Sequence, residues 1–253
     1  MIDTHCHLTD PRLFAQLDGV LGRCAAAGVE RVVTIGTGIE DDLEAIEVCR
    51  RHDNVRCAVG IHPNYSGNAE ISDVAKLRAM HADPSVVALG EMGLDYHYDR
   101  ADRSHQRAIF EAQLRLAQDV GKPVVIHCRE AVDDTLAAMK QCPGVPAVFH
   151  CFTGTRDEAR RILDAGYLLG FTGVITFKRN EELLEVVNFT PMDRILVETD
   201  APFLTPMPFR GRPNASYLVP HTVRAMAQVC GADLETLCEA IDANTERAFG
   251  GPW

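Results

Sequence analysis

Residues 86–127 read VVALGEMGLDYHYDRADRSHQRAIFEAQLRLAQDVGKPVVIH and contain a complete strand–helix–strand pattern. The two ends, 86–91 and 123–127, are short apolar runs rich in valine, which is typical of buried strands in a parallel sheet. Between them, the segment 104–120 repeats apolar residues at helical spacing and stops at Gly121, a residue type that favours helix ends. We therefore predict two parallel strands connected by a helix.

The same alternation of short apolar runs and helical segments continues along the whole chain. A chain of 253 residues with eight such units has the length and pattern of a (β/α)8 barrel. A doubly wound open sheet is the alternative, but no G-x-G-x-x-G motif follows the first run. We predict an α/β fold, a (β/α)8 TIM barrel that is regular or distorted, in a single domain spanning residues 1–253. The eight runs are 2–7, 31–36, 55–61, 86–91, 123–127, 147–151, 167–171 and 195–198.

Composition restricts the functional classes. The chain is 46% hydrophobic, which suffices for a large core, and it has no apolar run long enough to span a membrane. A net charge of −11 argues against indiscriminate coating of nucleic acid, although a local site with metal and a few arginines stays open. Nine cysteines without disulfide or zinc-ribbon spacing, and a start without a secretory signal, favour the cytoplasm. The oligomeric state is left open, with a monomer as the simplest case.

The first run, Ile2-Asp3-Thr4-His5-Cys6-His7, contains two histidines separated by one residue. Alternate side chains of a strand share a face, so His5 and His7 project the same way and can bind one metal ion. Cys6 projects to the opposite face, and we interpret it as a packing residue, like Cys128 and Cys151 in the two later His-Cys pairs.

Further candidate ligands occur at the ends of later runs. A single histidine at a strand end is as often a hydrogen-bonded rim residue as a metal ligand. Four histidines and two carboxylates at the same end of five strands, however, predict a metal centre. Imidazole and carboxylate without thiolate suit Zn²⁺, Mn²⁺ or Fe²⁺, and six ligands are too many for one tetrahedral ion. Two ions sharing one carboxylate account for the number. The six residues are His5, His7, Glu91, His127, His150 and Asp200.

Four neighbouring side chains have competing interpretations. Arg129 has the same parity as His127, so we favour an anion contact over a surface ion pair. His62, just past the third run, either contacts a phosphoryl oxygen or is a loop histidine. Tyr96 either stacks on a splayed base or packs its loop onto the barrel rim. Glu198 either holds a ligand histidine or forms a structural salt bridge.

Six segments together resemble the TatD family of metal-dependent hydrolases, a branch of the amidohydrolase-type TIM barrels. The resemblance covers essentially the whole chain, and the set is far more specific than a lone histidine pair. The segments are Thr4-His5-Cys6-His7-Leu8, Gly60-Ile61-His62-Pro63, Gly90-Glu91-Met92-Gly93-Leu94-Asp95-Tyr96, His127-Cys128-Arg129-Glu130-Ala131, His150-Cys151-Phe152-Thr153-Gly154 and Glu198-Thr199-Asp200-Ala201-Pro202.

The resemblance implies a deoxyribonuclease-like phosphodiesterase, with 3′-5′ exonuclease activity reported for some members. It also implies two divalent metal ions, for which Zn²⁺, Mn²⁺ and Mg²⁺ are the candidates. The implied ligands are His5, His7, Glu91 and Asp200 for the first ion, and Glu91, His127 and His150 for the second.

The chain departs from the family pattern after the last strand. Members usually carry Arg-Gly-x-x-Asn-Glu-Pro, whereas residues 210–216 end in Asn214-Ala215-Ser216. Thr9 also replaces a frequent Asp or Asn. These changes put the usual loop conformation and its substrate role in question, but neither affects an implied metal ligand.

We predict a two-metal phosphodiester hydrolase acting on nucleic acid, with DNA as the expected substrate and a preference for ends or single strands. Asp200 is the expected general base and Glu91 the shared ligand, while His62, Arg129 and Tyr96 contact the substrate. The alternative is metal-dependent ester or amide hydrolysis, such as deacylation of aminoacyl-tRNA. Amidase- and deaminase-like relatives are disfavoured because run 123–127 lacks their lysine, and a non-catalytic metal-binding module is the weakest interpretation.

Overall fold

A computed structural model describes residues 1–251 of the chain. Eight parallel strands form one sheet in the order β1 to β8, which is the order along the chain. A doubly wound sheet would instead reverse its strand order near the middle. The strands are β1 Ile2–Cys6, β2 Arg31–Ile35, β3 Val55–Val59, β4 Val86–Asp95, β5 Val124–Arg129, β6 Ala147–Phe149, β7 Leu168–Phe171 and β8 Ile195–Val197.

Helices separate the strands, and two more follow β8. Within residues 1–251, no helix is long and apolar enough to cross a membrane. The helices are α1 Pro11–Phe14, α2 Leu17–Ala26, α3 Ile39–Arg51, α4 Val74–Met80, α5 Arg103–Val120, α6 Val132–Met139, α7 Arg156–Asp164, α8 Glu181–Phe189, α9 Val219–Cys230 and α10 Leu234–Phe249.

The first and last strands are bonded to each other. His7 N–H donates to the Ala201 carbonyl over 2.7 Å, and Asp200 N–H donates to the His5 carbonyl over 2.8 Å. A parallel bridge also joins Cys6 to Ala201. Sequential strand order together with this bonding confirms the predicted (β/α)8 barrel class.

The chain divides into two compact units. One contains Met1–Thr34 and the described residues from Cys151 onward, and the other contains Ile35–His150. The first unit therefore includes β1, β7 and β8, and the second includes β3 to β6. The single domain over residues 1–253 stays a prediction.

Strand β4 is buried along its entire length, as expected for a parallel strand covered on both faces. Its glycines let it approach β5 closely. A Cβ on Gly93, whose φ is +144°, would lie 1.9 Å from the His127 carbonyl oxygen. Only glycine fits there, so Gly93 sets the distance between the strands that carry Glu91 and His127.

Candidate metal centre

His5, His7 and Asp200 form a group in the first unit, with possible ligand atoms all within 4.8 Å of one another. His7 Nε2 lies 3.3 Å from Asp200 Oδ1, and His5 Nε2 lies 3.7 Å from the same oxygen. His5 is fully buried. Asp200, which follows β8, therefore adds a carboxylate to the two histidines of the first run.

Asp3 and Thr199 hold the backbone around this group. The Thr199 hydroxyl donates to Asp3 Oδ2 over 2.6 Å, and the Thr199 N–H donates to Asp3 Oδ1 over 2.9 Å. Burial raises the pKa of Asp3 to about 7 despite these bonds. The contact fixes the segments that carry His5 and Asp200.

Asn214 braces the loop after Asp200. Its side-chain amide donates to the carbonyls of Thr199 and Phe203 over 2.9 and 2.7 Å, and it is fully buried. The asparagine that the chain keeps from the family motif thus supports the ligand loop, even though Ala215 and Ser216 replace the usual acidic residue and proline.

Glu91 is the centre of a group in the second unit. His127 Nδ1 and His150 Nε2 each lie 2.8 Å from Glu91 Oε1, and His62 Nε2 lies 3.4 Å from it. Glu91 is only 3% exposed. Burial alone would raise its pKa, but His150, His62 and His127 hold the pKa well below the usual value. A buried, ionised carboxylate thus faces three imidazoles.

His127 lies between two carboxylates. Its Nδ1 faces Glu91, and its Nε2 lies 3.0 Å from Asp95 Oδ2. Burial alone would lower the pKa of His127, but its bonds to Asp95 and Glu91 raise it. Asp95 orients the ring as carboxylates orient metal-binding histidines. Sequence reasoning missed Asp95, although alternation places it on the same face of β4 as Glu91.

His62 has a defined tautomer. Its Nδ1 accepts the Asn64 N–H over 3.0 Å, so the proton of the neutral ring lies on Nε2. Burial lowers the pKa of His62 in spite of the neighbouring Glu91, which favours the neutral ring. His62 therefore directs an N–H donor at the group around Glu91, rather than a free lone pair.

The two other predicted substrate residues also lie in the second unit. Arg129 is exposed, with its guanidinium 4.8 Å from the centre of the Tyr98 ring. The Tyr96 hydroxyl donates to Asp134 over 2.6 Å, and burial raises its pKa to about 12. Arg103 lies 4.3 Å over the Tyr96 ring. Tyr98, 42% exposed, is the more accessible ring.

Glu198 is completely buried. It accepts the backbone N–H of Cys151 and, over 3.4 Å, the Thr4 hydroxyl. A Cβ on Gly170 would lie 2.5 Å from its Oε2, so this glycine provides its space. These bonds give Glu198 a bracing role within the first unit.

The cysteines of the His-Cys pairs contact the surrounding elements. Cys6 Sγ lies 3.6 Å from the Val33 carbonyl, and Cys128 Sγ lies 3.4 Å from the Thr135 hydroxyl on α6. Their direction is that expected for packing residues on the opposite face of the strand.

Both groups suit a divalent metal ion. They offer imidazole nitrogens and carboxylate oxygens, the donors that Zn²⁺ and Mn²⁺ accept. His127 also has the second carboxylate partner typical of metal-binding histidines. The six predicted ligands thus fall into two groups of three, with His62 beside the second.

The chain is similar to proteins of known sequence and structure. A family model described as "TatD related DNase" matches residues 2–250. The "Uncharacterized metal-dependent hydrolase YabD" of Bacillus subtilis is 36% identical over 251 residues, 98% of each chain. The "3'-5' ssDNA/RNA exonuclease TatD" of Erwinia tasmaniensis is 36% identical over 259 residues, 98% of this chain and 99% of its own. The crystal structure of the TatD homologue YjjV from Escherichia coli matches with a TM-score of 0.95 and 28% identity, over 100% of this chain and 98% of that chain.

Proposed function

Since this chain belongs to the TatD related DNase family of metal-dependent hydrolases, we propose that it hydrolyses phosphodiester bonds of nucleic acid with two divalent metal ions. The observation that carries the proposal is the convergence of His127 and His150 on one buried oxygen of Glu91, each at 2.8 Å. Such a cluster of buried, ionisable groups is costly unless it binds something, and a cation satisfies it. The exonuclease name of the Erwinia relative supports a single-stranded substrate.

The proposed ligands divide by unit. His5, His7 and Asp200 hold one ion, and Glu91, His127 and His150 hold the other. The ions, when bound, would lower the pKa of water and stabilise the departing oxyanion, with Zn²⁺, Mn²⁺ or Mg²⁺ as candidates. The sharing of Glu91 between both ions stays a prediction from the family resemblance.

The protein side chains supply the remaining steps. Asp200 accepts the proton of the attacking water as general base, a role that contributes about 10²- to 10⁴-fold in rate. His62, whose Nε2 carries the proton, donates to a phosphoryl oxygen, and Arg129 adds a charge-assisted contact. Tyr96 stays a predicted base contact, with the more exposed Tyr98 as the neighbour that competes for this role.

Cleavage of three nucleic acids tests the function. A 5′-labelled single strand should shorten from its 3′ end in the presence of Mg²⁺ or Mn²⁺, a blunt duplex should react more slowly, and a closed circle should resist. Asp200→Asn should lose about 10²-fold or more in rate. Glu130→Gln, which changes an exposed carboxylate bonded to His97, is the matched control.

Aminoacyl-tRNA is included because the same activated water could attack an acyl carbon. Rapid release of the amino acid, with all three nucleic acids left intact, would replace the phosphodiesterase proposal by ester hydrolysis. Equal cleavage of the closed circle and the single strand would contradict the preference for ends.

We also propose a cytoplasmic location, because the cysteines are present as free thiols. Five of the nine cysteines are buried as thiols among apolar residues, a pattern typical of reducing compartments. Fractionation of cells that express the tagged protein tests this location.

A further inference from the structure

A cavity of about 280 Å³ lies in the first unit, beside the loop that follows Asp200. Neither metal group includes any of its lining residues. Pockets for small molecules have volumes of about 300 Å³ or more, and this cavity is just below that size. The volume therefore suits one nucleotide and not a longer chain. One side is apolar and the other is cationic, and the main lining residues are Phe177, Pro202, Leu204, Thr205, Arg210 and Arg212.

The cavity is close to a proposed metal ligand. Pro202 lines it and follows Asp200 by two residues, so their Cα atoms are at most about 7.6 Å apart. The Phe203 N–H donates to the Asp200 carbonyl over 2.9 Å, which makes the connection a tight turn. A group that contacts Pro202 in the cavity would therefore lie close to the loop that carries Asp200.

The cationic side is not neutralised by the protein. Arg210 and Arg212 are exposed, and among residues 1–251 neither forms an ion pair. The Arg210 guanidinium lies 3.8 Å from the centre of the Phe177 ring, which keeps it extended over an apolar surface. In a chain with net charge −11, two such arginines beside a metal site are suited to an anion.

The loop that forms the cavity is firmly held. The Thr205 hydroxyl donates to the Arg212 carbonyl over 2.5 Å, and the Asn214 N–H donates to the Pro202 carbonyl over 3.0 Å. Leu204 has a φ of +53°, a left-handed conformation that is unfavourable for leucine. Strain of this kind persists at binding sites because the surrounding contacts enforce it.

We propose that this cavity binds the nucleotide that flanks the scissile phosphodiester. Arg210 and Arg212 contact its phosphate, and Phe177, Pro202 and Leu204 contact its base. This assignment rests on the proposed function, because it names a second binding position for the same nucleic acid substrate. It makes a strand of several nucleotides a better substrate than a small phosphodiester without a flanking nucleotide.

Kinetics on two substrates test the assignment. The substrates are an oligothymidylate and bis(p-nitrophenyl) phosphate, a small diester that lacks a flanking nucleotide. For the Arg210→Ala/Arg212→Ala double variant, we expect the ratio of kcat/KM for the oligonucleotide to that for the small diester to fall about 10- to 100-fold. Most of the loss should be in KM, because the arginines act in binding.

The salt dependence gives a readout that a structural role would not change. Removing one phosphate-binding arginine should reduce the slope of log(kcat/KM) against log[salt] by about 0.7 on a single strand, so the double variant should show a reduction of about 1.4. Arg210→Lys should retain the slope, because lysine keeps the charge without the stacked guanidinium. Arg160→Ala is the matched control, since Arg160 also lies over a phenylalanine ring, 5.7 Å from Phe189, but on α7.

Separate outcomes identify which proposal fails. If the wild type cleaves the oligonucleotide and the double variant keeps both ratio and salt slope, the cavity assignment is overturned and the phosphodiesterase proposal stands. If the wild type cleaves neither substrate with any metal ion, the phosphodiesterase proposal fails. Fluorescence anisotropy of labelled oligothymidylate then decides whether the cavity binds a nucleotide at all: weaker binding by the double variant than by Arg160→Ala shows that it does, and equal binding overturns the assignment.

Discussion

The orientation of the proposed metal ligand His127 depends on Asp95, which belongs to neither metal group. The Asp95 carboxylate accepts from Nε2 over 3.0 Å, so it is Nδ1 that faces Glu91. Asp95 also accepts the N–H groups of His97 and Tyr98, and its hydrogen bonds hold its pKa below the usual value even though burial alone would raise it. One carboxylate thus fixes both a ring and a loop.

We expect Asp95→Asn to weaken metal binding about 10- to 100-fold. In the variant, an amide N–H in place of Oδ2 would face the His127 Nε2–H. The ring would relieve this clash by moving its proton to Nδ1, where the proton would block metal binding. The other oxygen would still accept the two backbone N–H groups, so the loop should persist. Calorimetric titration with Zn²⁺ measures the effect.

Asp134→Asn is the control for this change, because Asp134 is a carboxylate bonded to the Tyr96 hydroxyl and not to a histidine. Equal Zn²⁺ affinity in Asp95→Asn and the wild type would show that Asp95 serves the loop alone.

Side-chain direction could be predicted for candidate ligands on a strand or directly after one. His5 and Glu91 lie on β1 and β4, and His7 follows β1 directly, so strand parity indicates where each side chain projects. For Phe203, whose ring lies 6.3 Å from that of His7, and for the arginines of the cavity, the direction could not be predicted. They lie on the long loop after β8, where no periodicity relates sequence position to direction.

At the scale of elements, all eight predicted strands are present, but their ends differ from the predicted runs. Strand β4 extends to Asp95, and β6 and β8 end at Phe149 and Val197. Cys151 and Asp200 have φ values of +45° and +55°, which no strand can include. Residue type alone does not decide these conformations, although aspartate adopts positive φ more often than most residues. Strand ends were therefore less predictable than strand existence.

The close approach of β4 and β5 makes Gly93 the most sensitive position of the sheet. Gly93→Ala should unfold the protein or destabilise it by more than about 3 kcal/mol, because the new Cβ would overlap the His127 carbonyl and φ is +144°. Gly19→Ala, in α2, is the matched control, because a Cβ there meets nothing within 4 Å. We expect it to stabilise by about 0.5–1 kcal/mol. Urea unfolding measures both, and similar midpoints for the two variants would contradict the prediction.

Asp42 links α3 to the end of β3 and is predicted to make stability depend on pH. It is fully buried, and its Oδ1 accepts the Gly60 N–H over 3.0 Å. Burial raises its pKa well above the usual value. The folded state therefore keeps a proton that the unfolded state loses above about pH 3.9. As pH rises from about 3.9 toward the pKa of folded Asp42, this difference in proton binding lowers the free energy of unfolding by up to about 1.4 kcal/mol per pH unit.

Asp42→Asn removes that titration. The unfolding free energy of the variant minus that of the wild type should be larger at pH 7 than at pH 5, whatever its value at pH 5. Urea unfolding at both pH values measures the change. Asp41→Asn is the control, because Asp41 is only partly buried and accepts the N–H of Thr37, which lies just before the helix. A difference between Asp42→Asn and wild type that is constant with pH would show that Asp42 is ionised when folded.

At the scale of the whole molecule, an acidic chain has to bind an anionic substrate through local cations. Several arginines on the helices are paired with carboxylates, such as Arg78 with Asp119 and Arg107 with Glu111. Bound metal ions would add positive charge, and so would the loop arginines Arg210 and Arg212, which no carboxylate among residues 1–251 neutralises. Sequence order predicted the strand order, but the placement of unpaired cations depends on loop conformation and could not be predicted.

The two metal groups predict how many ions the whole chain binds and which residues retain them. Wild-type protein reconstituted with Zn²⁺ should contain about two ions per chain by elemental analysis. His7→Ala should lose the ion beside Asp200, and His150→Ala the ion beside Glu91, since each removes one imidazole from a group of three. Each variant should retain about one ion and the double variant almost none. His97→Ala, which changes an exposed histidine bonded to Glu130, should retain both. A wild type with one ion, or single variants that each lose all metal, would mean that the six residues serve one centre and that the two-ion mechanism is wrong.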